Sequence, residues 1–205
     1  MFNMKRLLQN SGLNSAKEYD RIYYERKQKG VDWADMRRWR VLLKYYTGGA
    51  LCDLGCLDSV IPTMIEERQY YGIDVAGKAM QEMQEKYPFA KIGVGDAYKT
   101  LFRDTMFNYV VLGEILEHVE RPVDMIQEAF RILKPGGVLA ISVPRDEYKE
   151  PGACDGERHI WSYSKEDIRG FVKPYTSATR TKILRSRYFP SYKYIWPQLL
   201  VWGFK

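Results

Sequence analysis

Residues 50–76 read ALCDLGCLDSVIPTMIEERQYYGIDVA, and this stretch decides the fold. It opens with a short apolar strand at 50–54 and closes with a second one at 70–73, and residues 59–68 between them are predicted to be helical. Both strands are apolar along their whole length, which is typical of parallel strands covered on both faces. A strand–helix–strand unit of this kind predicts an α/β protein.

The rest of the chain repeats this alternation. Further strands are predicted at 90–94, 107–112, 138–143, 179–187 and 198–204, and further helices at 77–86, 123–133 and 164–172. Because crossovers between parallel strands are right-handed, this order predicts a doubly wound, Rossmann-like sheet that is mostly parallel. Residues 1–47 are predicted to be helical and polar, and Gly48 and Gly49 end this helical segment. We therefore expect a single domain, 1–205, with an N-terminal helical flap, 1–47, and a core, 48–205.

Length, composition and cysteine content exclude several classes of protein. The 205 residues suffice for one domain, and 45% hydrophobic with 28% charged residues is the composition of a globular protein. No apolar run approaches the roughly 18–20 residues that cross a bilayer, and the N-terminus lacks the apolar core of a signal peptide. Three cysteines are too few for a disulfide framework, so we expect reduced thiols and a cytoplasmic protein.

Positive charge is concentrated near the C-terminus. The formal net charge is +6, and residues 168–205 contain eight basic residues, no acidic residue and several interleaved aromatic residues. Such a segment suits an anionic partner such as a nucleic acid, a phosphorylated substrate or a membrane surface. The simpler alternative is that two C-terminal strands bury their aromatic side chains and expose their charges. The sequence leaves both alternatives open.

Acidic residues follow three consecutive predicted strands. Asp53, Asp74 and Asp96 stand at strand ends, which is where open α/β sheets bind their ligands. Asp74 comes 19 residues after Gly55, close to the interval of about 20 residues at which a carboxylate meets the ribose hydroxyls of a bound nucleotide. A phosphate site would instead offer glycine-rich amides and basic side chains. The pattern therefore predicts a nucleoside site.

Five segments in this order resemble the motifs of class I S-adenosylmethionine-dependent methyltransferases: LCDLGCLDS (51–59), YGIDVAGKAM (71–80), VGDAYKTLF (94–102), FNYVVLGEILEHV (107–119) and LKPGGVLAISVP (133–144). The resemblance implies a sheet of seven strands, the last one antiparallel, and S-adenosylmethionine as cofactor. It also implies that the cofactor is bound by Asp53, Gly55, Cys56, Asp74, Val75, Asp96, Ala97 and Gly113. The adjacent Tyr23 and Tyr24 and the basic run 37–40 match the flap that closes over the cofactor, and Tyr24 is expected to contact it.

The chain departs from this family at Leu57 and Ser59, where glycines are usual. Those glycines permit positive φ angles and let the backbone approach the methionine moiety. Ser59 can cap a helix, whereas the side chain of Leu57 can crowd the cofactor. A methyltransferase-like binding protein without catalytic activity is therefore an open alternative.

The fourth motif carries the candidate catalytic groups. If residues 114–118 begin a helical turn, Glu114, Glu117 and His118 share one face, and His159 is the only other histidine. These four side chains can hold a divalent ion, Mg, Mn or Zn. The E-x-x-E-H run with a later histidine resembles two metal-assisted branches of the family, the ubiquinone-biosynthesis O-methyltransferases and the small-RNA 2′-O-methyltransferases. Without a metal, His118 or His159 can act as the general base, oriented by Glu114 and Glu117. A purely structural role of these side chains is the remaining alternative.

These features predict an S-adenosylmethionine-dependent enzyme that most simply methylates a hydroxyl of a small molecule, including an anionic one. The predicted catalytic residues are His118, His159 and Glu114. A nucleic-acid methyltransferase is the first alternative, and a non-catalytic binding protein is the second. Neither the acceptor nor the oligomeric state can be read from the sequence.

Overall fold

The computed structural model describes residues 5–6, 15–29, 33–144, 159–184 and 198–205. The described helices are α1 (Ala16–Lys29), α2 (Trp33–Leu42), α3 (Gly77–Lys86), α4 (Pro122–Ile132) and α5 (Lys165–Val172). The described strands are β1 (Lys5–Arg6), β2 (Leu51–Leu54), β3 (Tyr70–Asp74), β4 (Lys91–Val94), β5 (Phe107–Gly113), β6 (Leu133–Pro144), β7 (Trp161–Ser162), β8 (Ala178–Leu184) and β9 (Gln198–Phe204). Among these helices, none is both long and apolar enough to cross a membrane.

Seven of these strands form one sheet in the order β4-β3-β2-β5-β6-β9-β8. Strands β2 to β6 are parallel to one another, whereas β9 is antiparallel to both β6 and β8. This confirms the predicted doubly wound sheet, mostly parallel, with its last strand antiparallel. The strand order reverses between β2 and β5, and the loops that leave such a switch point diverge and open a crevice at the carboxyl ends of the strands.

Apolar side chains cover both faces of the sheet. Along β5, Val110 joins a cluster with residues of α4 and α5, whereas Tyr109 joins a cluster with residues of α2 and α3. The Tyr109 hydroxyl and the Trp202 indole N–H both donate to the carbonyl of Leu42, at 2.6 and 2.9 Å, and so tie the end of α2 to the sheet. The continuously apolar strands therefore reflect burial on both faces.

The predicted helix at 59–68 is wrong. The chain there forms two short 3₁₀ turns, Ile61–Thr63 and Glu67–Gln69. The Ser59 hydroxyl oxygen accepts from the amide of Ile61 at 3.3 Å, and the Thr63 hydroxyl donates to the carbonyl of Val60 at 2.8 Å. These local side-chain bonds compete with the backbone ladder of a helix, which explains the difference from the expected pattern.

The N-terminal helices pack onto the core. In α1, Asp20 accepts from the amide of Lys78 at 2.9 Å, and the Tyr23 hydroxyl donates to Glu82 at 2.9 Å. Asp20 thereby caps α3, whose own N-cap residue, Ala76, makes no side-chain cap. Strand β1 also pairs with β7. These contacts agree with a flap that covers the core, and the domain boundaries 1–47 and 48–205 stay predictions.

Strands β8 and β9 bear on the two interpretations of the basic C-terminal segment. Trp202 is buried, whereas Arg180 and Lys182 are exposed. In this described part, the strands bury an aromatic side chain and expose their charges, as the simpler interpretation expects. The basic and aromatic residues at 185–197 lie outside the described residues.

Candidate active site

The centre of the candidate site is the turn that follows β2. Gly55 adopts a φ angle of +73°, a left-handed conformation that suits glycine. The amides of Gly55 and Cys56 donate to the carbonyl of Ile73 at 2.8 and 3.1 Å, which folds the turn over the end of β3. The Cys56 thiol is buried against the sulfur of Met80, so Cys56 can offer a ligand its backbone alone.

Asp74, the last residue of β3, is buried and holds this turn in place. Its Oδ2 accepts from the amide of Leu57 at 3.0 Å, and its Oδ1 accepts from the amide of Ala76 at 2.9 Å. Burial raises the pKa of Asp74, and these backbone hydrogen bonds oppose the rise. Each carboxylate oxygen can accept a second hydrogen bond, so Asp74 can hold the turn and still accept from a ligand. Val75, the next residue, is exposed beside it.

Asp53 in β2 is a buried carboxylate, only 1% exposed. Its Oδ2 accepts from the Tyr70 hydroxyl at 3.0 Å, while its Oδ1 is buried with no hydrogen-bond partner in the described part of the chain. Burial raises the pKa of Asp53 to about 6, although hydrogen bonds from Ser59 and Tyr70 and the charge of Arg38 lower it. An unsatisfied buried carboxylate oxygen is costly, and such a group marks a candidate ligand contact.

The end of β4 contributes the third acidic residue. Asp96 is exposed, and its Oδ1 accepts from the amide of Tyr98 at 2.8 Å, while Ala97 is buried. The Tyr98 hydroxyl accepts from the amide of Arg121 at 3.1 Å, which ties this loop to the start of α4. Because β4, β3 and β2 are neighbours in the sheet, the three predicted acids lie at three adjacent strand ends.

The flap turns Tyr23, not Tyr24, inward. Tyr23 is 8% exposed, whereas Tyr24 is 52% exposed and lines an outer groove with Lys78, Glu82 and neighbouring residues of α3. The structure therefore does not bring Tyr24 to the strand ends. Two adjacent tyrosines on a mostly polar helix give no sequence signal for which of them faces the core.

A cluster of titratable side chains lies beyond the end of β5. One ligand atom each of Glu117, His118 and His159 lies within 4.8 Å of the others, and the two imidazole centroids are 4.9 Å apart. The 3₁₀ turn Leu116–His118 supplies the first two residues. The segment at 159–163 is bound to this turn by three hydrogen bonds: Ile160 amide to Glu117 carbonyl (2.6 Å), Trp161 indole to Val119 carbonyl (2.8 Å) and Tyr163 hydroxyl to Leu116 carbonyl (2.8 Å).

Glu114 lies outside this cluster. It has a φ angle of +54°, so residues 114–118 do not form one helical turn, and the predicted shared face of Glu114, Glu117 and His118 is wrong. The carboxylate of Glu114 lies 3.5 Å from the guanidinium of Arg38 and accepts from the Gln198 amide at 3.4 Å. Its predicted catalytic role stays a prediction.

Comparison with known proteins agrees with this geometry. The family described as "Methyltransferase domain" matches residues 52–141, which span β2 to β6. This match covers a little under half of the chain and supports its resemblance to the class I S-adenosylmethionine-dependent methyltransferases. The methyltransferase bound to the Trm112 methyltransferase activator of Haloferax volcanii has the same fold: its TM-score is 0.70 at 17% identity, over 91% of this chain and 97% of that one.

Curated methyltransferases of different chemistry are similar to this chain. The ubiquinone biosynthesis O-methyltransferase of Pseudomonas aeruginosa is 26% identical over 158 residues, 70% of this chain and 64% of that protein. The ubiquinone/menaquinone biosynthesis C-methyltransferase of Desulfotalea psychrophila is 27% identical over 124 residues, 56% of this chain and 50% of that protein. The chain spans only 42%, 52% and 37% of the length of three other curated relatives. These comparisons therefore leave the acceptor atom open.

The residues of the candidate site fit S-adenosylmethionine, the cofactor that the resemblance implies. S-Adenosylmethionine joins an adenosine to a methionine that bears an ammonium, a sulfonium and a carboxylate. Asp74 and Asp96 offer acceptors at two strand ends, and the buried Oδ1 of Asp53 suits a cationic group. A Cβ atom at Gly113 would lie 2.5 Å from the Trp39 ring, and one at Gly55 would lie 2.0 Å from Ile115. Neither glycine position therefore has room for a side chain.

Leu57 itself adopts the conformation for which this family usually has glycine. Its φ angle is +38°, and a non-glycine residue in the left-handed region costs about 1–2 kcal/mol. The side chain is half-buried against the apolar cluster that contains Ile61 and Met80. This packing offsets part of the strain, and the expected crowding of the cofactor stays a prediction.

Glycine and alanine at position 57 separate this strain from the packing. Both substitutions remove the packed side chain, but only glycine relieves the strain, so we expect Leu57→Gly to be more stable than Leu57→Ala by about 1 kcal/mol. At a position of ordinary φ the order is reversed, because glycine costs about 0.5–1 kcal/mol relative to alanine. Urea denaturation of the two variants measures the difference. An alanine variant that is the more stable of the two contradicts the strained conformation.

Asp53 makes stability depend on pH. Because its pKa is about 6 in the folded protein and ordinarily 3.8, the folded state binds more protons between these values. Stability therefore falls as the pH rises from about 4 to 6, and the loss from this residue is about 3 kcal/mol above that range. We expect Asp53→Asn to remove this decline and to raise the free energy of unfolding at neutral pH.

Urea denaturation at both ends of this pH range tests the assignment. Glu85→Gln serves as the control, because Glu85 is an exposed carboxylate on α3. If Asp53→Asn and the wild type show the same change in stability with pH, burial of an ionised Asp53 is not the source of the effect.

Proposed function

We propose that this protein uses S-adenosylmethionine to methylate a hydroxyl group of a small molecule. The main support is the pair of imidazoles of His118 and His159, whose ring centroids are 4.9 Å apart beyond the end of β5. Strand β5 pairs with β2, and the turn that follows β2 (residues 55–57, the cofactor turn) is the proposed cofactor site. A hydroxyl acceptor must lose a proton as it is methylated, and imidazole is the side chain most often used for such proton transfer.

The cofactor half of the site rests on the strand-end acids. Asp74 accepts from the ribose hydroxyls, and Asp96 with the backbone at Ala97 meets the edge of the adenine. Val75, exposed beside Asp74, packs against the face of the base. Asp53 faces the cationic end of the methionine moiety. Bound S-adenosylmethionine supplies a methyl group on a positively charged sulfur.

The acceptor half rests on the imidazoles. His118 would accept the proton of the acceptor hydroxyl through a ring nitrogen. The oxygen electron pair would form the new bond to the methyl carbon as the sulfur–methyl bond breaks, and the sulfur would leave as a neutral thioether. His159 packs edge-on against His118, and Tyr19 of α1 approaches the same His118 ring with a centroid distance of 6.3 Å. These contacts orient the base, and rigid alignment of donor and acceptor is what a one-step displacement requires.

The similar Pseudomonas enzyme is named an O-methyltransferase, which supports this choice of acceptor atom. The similar Desulfotalea enzyme is named a C-methyltransferase, so an assay must decide. Labelled S-adenosylmethionine is incubated with phenols and catechols, including carboxylated ones, and in parallel with RNA. We expect label in a methyl ether of the small molecules, and label in RNA alone overturns the proposed substrate class.

Cofactor binding tests the proposal without any acceptor. We expect S-adenosylhomocysteine to bind the wild type and Asp74→Ala to weaken binding at least tenfold, because charge-assisted hydrogen bonds are worth about 1.5–3 kcal/mol each. Isothermal titration calorimetry measures both, with Glu85→Ala on the exposed side of α3 as control. No heat from the wild type at tens of micromolar protein contradicts the proposed function, and an unchanged affinity in Asp74→Ala removes the role of Asp74.

A second arrangement of the same side chains is favoured by the buried carboxylate of Glu117. We propose that Glu117, His118 and His159 can together hold a divalent ion, since their ligand atoms lie within 4.8 Å of one another. Two imidazoles and one carboxylate suit Zn or Mn better than Mg, which prefers an all-oxygen shell. A divalent ion at this position lowers the pKa of a hydroxyl bound to it. In that case His118 is a ligand and not the base.

Metal titration separates the two arrangements. We expect Zn or Mn to raise the melting temperature of the chelator-treated protein, because saturation at a hundred times Kd stabilises by about 2.7 kcal/mol. His159→Ala abolishes that shift, whereas Glu85→Ala keeps it. An unchanged melting temperature with Zn and Mn, together with full methyl transfer in excess chelator, excludes the metal and leaves the imidazole base.

A further inference from the structure

Strand β8 forms one edge of the seven-stranded sheet. It pairs with β9 along its whole length, and within the described part of the chain no strand lies on its other side. The backbone N–H and C=O groups of an edge strand that face away from its neighbour can pair with an added strand. Seven residues make this a long edge, since many proteins keep their edge strands very short.

Two cations project from β8 on one face of the sheet. Arg180 and Lys182 are exposed, and they lie opposite Trp202 and Leu200 of β9, which belong to the apolar cluster under α2. Side chains two residues apart on a strand share a face and are spaced by about 6.7 Å. Charged groups with this spacing match the side chains at alternate positions of a neighbouring strand.

A third cation, Lys44, lies on the same face of the sheet. The Tyr45 ring packs edge-on against the rings of Trp202 and Phe204, with centroid distances of 5.3 Å. The Lys44 ammonium lies 5.1 Å from the centre of the Tyr45 ring and is exposed. Because Trp202 lies opposite Arg180, these aromatic contacts place Lys44 beside the cations of β8.

The segments that build this basic edge (Lys44, Arg180 and Lys182) contain no acidic residue. Neither residues 36–52 nor residues 168–205 include an aspartate or a glutamate. Like charges directly opposite one another destabilise a strand pair, so the cations oppose pairing of β8 with β8 of a second copy. The same cations favour a strand that carries carboxylates.

The accessible groups favour a peptide over a nucleic acid. A single-stranded nucleic acid gains affinity from bases that stack on exposed aromatic rings. Trp202, the aromatic residue opposite Arg180, is only 2% exposed and cannot offer such a surface. Backbone groups along a strand edge, by contrast, are recognised by the backbone of an extended peptide.

We propose that the β8 edge binds an acidic segment of a partner protein, which adds to the sheet as a further strand. Backbone hydrogen bonds supply affinity, and carboxylates at alternate positions pair with Arg180 and Lys182. The positions between them lie beside Thr179, Thr181 and Ile183, where threonine and valine suit a strand. The opposite edge of the sheet is β4, at the predicted adenine end of the cofactor site, so this inference is independent of the proposed function.

A synthetic peptide tests both parts of this recognition. The probe is a labelled peptide with glutamate at alternate positions and threonine or valine between them. Two N-methylated versions, which between them block every peptide amide, keep the charges but lose backbone donors. We expect the probe to bind the wild type, to slow amide hydrogen exchange in residues 178–184, and to bind about tenfold or more weakly in at least one N-methylated version. Fluorescence anisotropy and hydrogen exchange measure these effects.

Two charge-reversed variants separate the basic edge from net charge. Arg180→Glu with Lys182→Glu is expected to weaken the probe about tenfold or more, because two cross-strand attractions become repulsions. Lys99→Glu with Arg103→Glu makes the same change of net charge at exposed positions after β4, and is expected to weaken binding less than twofold. Thermal unfolding shows whether each variant is folded.

Several outcomes overturn the proposal. They are no binding of the probe, equal weakening by both charge-reversed variants, or full affinity of both N-methylated versions. Tighter binding of an oligouridine RNA or of phosphatidylglycerol vesicles than of the probe also overturns it. If the β8 variant does not fold, the N-methylated versions and the exchange of residues 178–184 decide on the wild type alone. Because no cofactor or acceptor is present, none of these results bears on the proposed function.

Discussion

The carboxylate of Asp74 is the interaction on which the rest of the candidate site depends. It accepts from the amides of Leu57 and Ala76, and so joins the turn after β2 to the turn before α3. Without it, these amides lose their acceptor, and each unsatisfied buried donor costs about 1–3 kcal/mol. Because the same oxygens are proposed to meet the ribose, the conformation of the turn and the affinity for the cofactor cannot vary independently.

Sequence patterns predicted the position of a residue correctly wherever that position depends on the order of the strands alone. The parallel order places the end of each strand at one edge, so Asp53, Asp74 and Asp96 could be placed together from their spacing. The helix expected at 59–68 overlooked Pro62, which has no N–H to donate and lies in the first 3₁₀ turn, and Ser59 and Thr63 also bond locally to the backbone. The resemblance indicated a positive φ at Leu57, where glycine is usual, but nothing in the sequence indicated the positive φ of Glu114.

The sequence of the N-terminal helices gave little indication of which side chains face inward, because contacts with the core determine that. The sequence shows a basic run at 37–40, but the choice of Arg38 as the buried member follows from contacts with Glu114 and Trp39. Buried charges such as Arg38 and Asp53 reduce the stability of the protein alone. A ligand that pairs with these charges would offset their desolvation cost on binding. Stability of the free protein is thus exchanged for affinity, as is common at functional sites.

Helix α1 connects the two halves of the site within little more than one turn. Asp20 caps α3 next to the cofactor turn, while Tyr19, one residue earlier, approaches His118 on the acceptor side. Tyr23, one turn later, adds a second hydrogen bond to α3. A displacement of α1 that alters one half must therefore alter the other. If α1 couples the two halves of the site, the factor by which the cofactor changes the affinity for the acceptor equals the factor by which the acceptor changes the affinity for the cofactor.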